Sequence, residues 1–262
     1  MTDWLALCRD AVDDVRGVLE ELPRRADRET VMGAGEGGDE TTAIDAAAER
    51  VILARFADVD DITIVSEEVG KVRDGATYVV IDPIDGSLNA KRGIGFFSLS
   101  VAVASGPTME DVHFGFVHDF GTNEQWTAST GKGAELNSRP LDGDLPRDQI
   151  EILSFEATRT ASVAEKAAAV VDLAYRLRIM GSLALSLCHL AAGRVDAVCS
   201  LKPARSVDIA GAQLLVRERG LAIDLPDAQP FAAAPLDVEG RSRVVAAGTP
   251  ELCTRLADAL ST

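Results

Sequence analysis

Three short segments of this 262-residue chain put carboxylates at the ends of buried strands or the start of a helix. They are Ser66-Glu67-Glu68, Asp82-Pro83-Ile84-Asp85-Gly86-Ser87 and Val207-Asp208-Ile209-Ala210-Gly211. The first follows Ile62-Thr63-Ile64-Val65 and the second follows Tyr78-Val79-Val80-Ile81, each of which reads as a short buried strand. A carboxylate after such a strand emerges at the sheet edge, where ligands bind. Hard cations such as Mg2+ take oxygen ligands in octahedral geometry and keep some of their waters. Carboxylates gathered from distant segments meet that need, and they repel one another until a cation joins them.

The central piece is Asp82 to Asn89 (DPIDGSLN). Pro83 fixes the backbone and removes a donor. Asp85 lies near enough to Asp82 to share a metal. Gly86 lets the chain turn closely, and Ser87 can open a short helix whose free N–H groups form an anion site. Metal ligands followed at once by a phosphate cradle are what phosphate-ester hydrolysis requires. Each piece has a plainer reading when taken alone. DPxDG is a common turn composition, Glu67-Glu68 a solvated strand end, and Asp208 a carboxylate stabilised by a helix N-terminus.

The elements that must position these groups follow from periodicity. Leu5, Leu7, Cys8, Val12, Val15, Val18, Leu19 and Leu22 have helical spacing, stopped by Pro23. Residues 31–39 are glycine-rich and read as a mobile loop. They lack the Gly-Lys-Ser/Thr of a nucleotide P-loop. Thr41 or Thr42 can cap a second helix running to about Ala57. Residues 96–104, 112–120 and 124–129 read as consecutive antiparallel strands. The stretch 139–148, rich in Pro and Asp, marks a subdomain boundary. Beyond it strands near 150–155, 195–200, 221–224 and 243–248 alternate with helices near 162–173, 182–192, 207–219 and 249–260. The pattern is α+β before the boundary and α/β after it.

Composition narrows the class. With 47% hydrophobic residues the chain can bury one large core or two joined subdomains. No apolar run approaches the roughly 18 residues of a membrane span, and the N-terminus lacks the basic start and apolar run of a signal peptide. The expected location is cytoplasmic. Cys8, Cys188, Cys199 and Cys253 show no CxxC spacing, and His113, His118 and His189 show no ligand spacing. A net charge of −16 repels nucleic acid and anionic membranes, so neither is an expected partner. It also repels a phosphorylated substrate unless bound cations reverse the field at the site. Five lysines against 21 arginines on an acidic chain suggest a salt-loving source, with a GC-rich genome as the alternative.

At these residues the sequence resembles the inositol monophosphatase superfamily, which includes fructose-1,6-bisphosphatases and bisphosphate nucleotidases. Gly38 to Asp45 is similar to the family's D-x-T-x-x-D segment, with Asp39 as its first carboxylate. Ser66-Glu67-Glu68 is similar to G/S-E-E, and Ile81 to Asn89 to W-I-D-P-I-D-G-T-x-N, the most specific motif. Gly131 to Asn137, Gly181-Ser182 with Ala191 to Asp196, and Val207 to Ala212 resemble its later motifs in order. The likeness runs from about residue 38 to 220. Ser87 replaces the usual Thr and keeps the hydroxyl, and Val207 replaces a common Trp. Leu201 to Ser206 lacks the Glu of many inositol-specific members, and Arg205 resembles the archaeal branch.

The resemblance implies an α+β fold, a layered α-β-α-β-α sandwich of the sugar-phosphatase type. It is expected as one domain over 1–262, with subdomains 1–145 and 146–262. It implies Mg2+ at two or three positions, with Mn2+ as a possible substitute. Glu67, Asp82 and the Ile84 carbonyl would hold one ion, and Asp82, Asp85 and Asp208 a second. Ser87, supported by Asp45, would orient the attacking water, with Glu67 helping to deprotonate it. Gly86 and Ser87 amides would hold the phosphate, and Arg205 and Ser182 would contact substrate. The implied activity is hydrolysis of a small sugar or polyol phosphate by a lithium-sensitive homodimer. A 3′(2′),5′-bisphosphate nucleotidase is the enzymatic alternative. A catalytically dead regulatory homologue and a structural cation-binding protein are the non-enzymatic ones.

Overall fold

The computed structural model describes residues 2–36, 38, 40–143, 145, 148–156, 159–228 and 230–261. Asp39 and part of the expected subdomain boundary lie outside the described residues. The chain opens with helix α1 (Trp4–Glu21), a turn of helix α2 (Arg25–Arg28), strands β1 (Val31–Ala34) and β2 (Glu40–Thr42), and helix α3 (Ala43–Arg55). Strands β3 (Ile62–Ser66), β4 (Gly70–Val72) and β5 (Thr77–Asp85) lead into helix α4 (Ser87–Arg92). Then come β6 (Ser98–Ala104), β7 (Val112–Asp119), β8 (Gln125–Ser129), β9 (Gly133–Leu136) and β10 (Arg139–Pro140). The remainder is β11 (Ile150–Glu156), α5 (Thr160–Ala167), β12 (Ala174–Arg178), α6 (Leu183–Ala191), β13 (Ala197–Ser200), α7 (Ser206–Glu218), β14 (Ala222–Asp224), β15 (Val245–Ala247) and α8 (Pro250–Ser261).

Among the described residues two large sheets form. One has eight strands in the order β10-β9-β8-β7-β6-β5-β3-β4, and the other five in the order β12-β11-β13-β15-β14. In the first, β3 and β5 run parallel and the rest pair antiparallel. In the second, β12, β11 and β13 are parallel and β15 and β14 are antiparallel additions. Helices α1 and α3 cover the outer face of the large sheet, α6 and α7 lie between the sheets, and α8 covers the outer face of the small one. This is the expected five-layer α-β-α-β-α arrangement.

Local chemistry explains the layers. α1 buries Cys8, Ala11, Val12, Val15 and Val18, a single stripe at three- and four-residue spacing, and Asp3 caps it by accepting from Ala6 N at 3.0 Å. α6 is buried at eight of its nine positions, as a helix between two sheets must be. α7 approaches the large sheet closely because two glycines face each other. A Cβ added to Gly115 on β7 would lie 2.3 Å from the Gly211 carbonyl oxygen of α7. That close approach carries the N-terminus of α7, with Asp208, to the end of β5.

Three expectations change, and two strands, β4 and β12, were not foreseen. Residues 31–39 are not wholly a loop, since β1 pairs antiparallel with β2 and the hairpin hides only its second strand. The helix expected over 162–173 stops at Ala167 with a 3-10 turn over 168–170, and β12 follows. The alternating Arg176 and Arg178 of that edge strand left no apolar face to read. β4 is three residues long, too short for a period. Finally, Asp82 does not follow its strand but lies inside it, because β5 runs on to Asp85.

Candidate active site

The β5–β6 ladder places the two aspartates. Asp82 pairs with Ser100 and Asp85 with Ser98, so three steps on β5 match two on β6. In a regular strand residues three apart face opposite sides. The extra residue is a bulge, which bends the strand and re-aims its side chains. Pro83 sits within it, where no ladder donor is needed. Asp82 and Asp85 therefore both line one cleft of about 260 Å3, together with Glu67, Ile84, Gly86, Ser87, Arg205 and Asp208. A larger, open groove of about 460 Å3 lies elsewhere and contains none of these carboxylates.

Three elements supply the four acids: β3, β5 and α7. Glu67 follows β3, and the next turn is pinned by Glu49, whose Oε1 accepts from Glu68 N and Val69 N at 3.3 Å. Asp82 Oδ1 accepts from Ile84 N at 3.1 Å. Asp85 Oδ2 accepts from the Ser182 hydroxyl and from Ala184 N at 2.8 Å, which ties it to the N-terminus of α6. Asp208 stands in the first turn of α7, where its Oδ2 accepts from Arg205 N at 2.7 Å.

Burial and mutual repulsion dominate the electrostatics. Burial pushes Glu67 up to about 7, offset by Arg205 and reinforced by Asp208 and Glu68. Burial likewise pushes Asp85 up to about 7, against the Ser182 hydrogen bond and with Asp208 adding to the rise. Asp82 is raised well above its ordinary value by burial and then by Glu67, Asp85 and Asp208. The countercharge is Arg205, 7% exposed, whose Nη2 lies 2.5 Å from Glu67 and 3.0 Å from Asp208.

Among the described residues no three acidic, His or Cys side chains are drawn into a ready-made metal cage. Arg205 rests on two of the acids instead. The donor set nevertheless fits a hard divalent cation. It is all oxygen, it is largely buried, and three of its members are pushed toward protonation by burial and by the charge of neighbouring acids.

Gly86 and Ser87 form the start of α4. Gly86 is left-handed (φ 90°), and an added Cβ would stand 3.0 Å from Gly181 O and 3.1 Å from Phe96 O. Asn89 fixes the turn by donating Nδ2 to Phe96 O and Met180 O, both at 2.8 Å. The Ser87 hydroxyl donates to Ile84 O at 2.9 Å.

Two of the expected site residues are engaged by other partners. Ser182 does not offer its hydroxyl to a substrate. It is buried behind Asp85, caps α6 through Leu185 N, and donates to the aspartate. Asp45 makes no hydrogen bond to Ser87 among the described residues. It completes a capping box with Thr42 and pairs with Lys91 Nζ at 3.1 Å, so any link to Ser87 runs through α4, which carries Lys91 one turn on. Sequence reasoning missed Glu156, which lines the cleft at the end of β11. Its Oε1 accepts from Ser154 and Ser186, and its Oε2 accepts from Gly181 N at 2.8 Å. It obeys the same rule that found Glu67, an acid closing a buried strand. Lys202 and Arg241 on the rim were also missed, since neither belongs to a periodic pattern.

A five-layer α+β fold with a carboxylate-lined cleft beside the start of α4 is the arrangement of a phosphoric monoester hydrolase. The model of the inositol monophosphatase family matches residues 5–262. The chain belongs to that family. It is 30% identical over 271 residues to the fructose-1,6-bisphosphatase/inositol-1-monophosphatase of Methanothermobacter thermautotrophicus, covering 98% of this chain and 96% of the relative. It is 33% identical over 234 residues to the Nus factor SuhB of Escherichia coli, covering 85% of each. A crystal structure of an inositol monophosphatase-fructose 1,6-bisphosphatase superposes with TM-score 0.85 at 28% identity, covering 98% of this chain and all of the other.

Proposed function

We propose that this chain is a Mg2+-dependent phosphomonoesterase. It hydrolyses fructose 1,6-bisphosphate, inositol 1-phosphate or both to the alcohol and inorganic phosphate. The observation that carries the reading is the convergence of Glu67, Asp82, Asp85 and Asp208 on one cleft with the Gly86–Ser87 helix start. Glu67, Asp82, the Ile84 carbonyl, Asp85 and Asp208 would hold two or three Mg2+ ions, with Mn2+ able to replace them. When bound, the cations neutralise the phosphate and lower the pKa of an attacking water.

The chain's own groups do the rest. Gly86 N–H and Ser87 N–H donate to phosphoryl oxygens at the start of α4. With its proton directed to Ile84 O, the Ser87 oxygen accepts from the water and orients it. Glu67 takes the proton that the water releases as its oxygen bonds to phosphorus. The ester P–O bond breaks, and the leaving oxygen is protonated from solvent. Arg205 would contact the substrate's anionic side, with bound cations supplying the countercharge to Glu67 and Asp208 that it supplies here. The protein acts as a lithium-sensitive, cytoplasmic homodimer.

Phosphate release from fructose 1,6-bisphosphate, inositol 1-phosphate, glycerol 2-phosphate and 3′-phosphoadenosine 5′-phosphate, with Mg2+ or EDTA, tests this. Release that EDTA abolishes is expected, with the first two substrates preferred. Folded protein that releases nothing from any of them at any salt concentration would overturn this reading in favour of the dead homologue.

A further inference from the structure

The open groove of about 460 Å3, with Arg9, Asp13, Asn123, Asn137 and Ser138 exposed along it, lies where α1 meets the ends of β7, β8 and β9, and the phosphatase reading assigns it no role. Its size is within the roughly 300–1,000 Å3 of small-molecule sites. Arg9 and Arg16 both line it, seven residues apart and so close to two turns on the same side of α1. Arg16 donates to Asp13 at 2.9 Å and to Asn123 Oδ1 at 2.5 Å, and its Nη2 lies 3.2 Å from His118 Nε2. Arg9 makes no ion pair among the described residues. It donates Nε to Gln125 Oε1 at 2.9 Å and Nη2 to Ser138 Oγ at 3.4 Å. An arginine lined by neutral groups stands out in a chain of net charge −16.

The amides sharpen the picture. Gln125 Oε1 is taken by Arg9, and Asn137 Oδ1 accepts from Gln125 N at 2.8 Å. An amide whose oxygen is engaged turns its NH2 the other way, and no described residue accepts from either NH2 group. Ser138, its oxygen used by Arg9, keeps a hydroxyl proton to donate. The groove thus offers donors and a positive charge, and its one acid, Asp13, is already paired with Arg16. The left-handed Asn137 and Ser138 (φ 52° and 60°) belong to the two-residue β9–β10 hairpin.

We infer that this groove is a second ligand site, separate from the carboxylate cleft, for a small metabolite bearing phosphate or carboxylate groups. Arg9 anchors the anion, and the Gln125 and Asn137 amides and the Ser138 hydroxyl complete its hydrogen bonds. The inference does not rest on the phosphatase reading.

The test is a backbone-amide NMR titration of the full chain in EDTA, with inorganic pyrophosphate in one arm and citrate in the other. Saturable shifts centred on residues 9–16, 123–125 and 137–138 are expected. Pyrophosphate alone would assign a phosphate ligand, citrate alone a carboxylate, and both a general oxyanion site. Arg9→Gln should weaken binding by about tenfold, as for loss of one charge-assisted contact, whereas Asp85→Asn should leave it unchanged. If Arg9→Gln does not fold, Asn137→Ala takes its place and must weaken binding. No saturation by ~10 mM, shifts centred on residues 82–87, or undiminished affinity in the variant would overturn the site.

Discussion

Asp85 carries the sharpest expectations of any single residue. It reaches the cleft only because of the bulge, and Ser182 and Ala184 hold it there. Asp85→Asn keeps the shape and removes the charge, and should lower kcat by about 10²–10³-fold with the circular dichroism spectrum unchanged. The same residue sets a pH dependence of stability in metal-free protein. Its folded pKa is raised to about 7, so the folded state binds its proton more tightly than the unfolded state does. The resulting stabilisation is complete below the ordinary carboxylate range and is lost as pH rises through about 7. Glu67 acts in the same direction. Urea unfolding in EDTA should therefore show stability falling between pH 5 and pH 8, with a smaller fall in Asp85→Asn. Added Mg2+ should remove the decline in the wild type, and an identical decline in the two proteins would sink the assignment. Glu67, Asp82, Asp85 and Asp208 were legible in the sequence because each stands beside an element with clear periodicity. Ser182 and Asp45 were legible as site-associated but not in their roles. What each touches depends on Asp85 and Lys91, which lie 97 and 46 positions away in the chain.

At the level of elements, the contact between β7 and α7 decides whether Asp208 arrives. Gly115→Ala puts a methyl group 2.3 Å from the Gly211 carbonyl. Overpacking of that kind costs about 1–3 kcal/mol, and here it should also reduce turnover, because α7 must move to relieve it. Gly17→Ala in α1 is the contrasting case. Nothing lies within 4 Å of an added Cβ there, and the substitution should stabilise by about 0.5–1 kcal/mol. Chemical denaturation of the two variants checks both signs. Most helices and long strands were readable from apolar spacing and caps, as with Thr42 and the start of α3. β12 and β4 were not. One alternates arginines on an exposed edge and the other is stabilised only by its neighbour β3, and neither circumstance leaves a local signal.

Over the whole molecule, the excess of acids is the feature most open to test. We propose that the net charge of −16 makes stability depend on dissolved salt, since screening relieves self-repulsion. A Tm rising steadily from 0.05 to ~2 M KCl is expected, and a Tm already at its maximum in dilute buffer would refute it. No helix among the described residues is long and apolar enough to cross a membrane. The five layers also join the two halves of the chain at the cleft. Asp82 and Asp85 come from the large sheet, whereas Asp208, Ser182 and Glu156 come from beyond residue 150. This arrangement limits how the gene can recombine. A crossover between the sheets would pair one parent's acids with the other parent's supporting helices, and each half could be sound while the activity was lost. β5, α6 and α7 must therefore be inherited together. New substrate preferences should arise in this lineage by point substitution around the rim and not by exchange of halves.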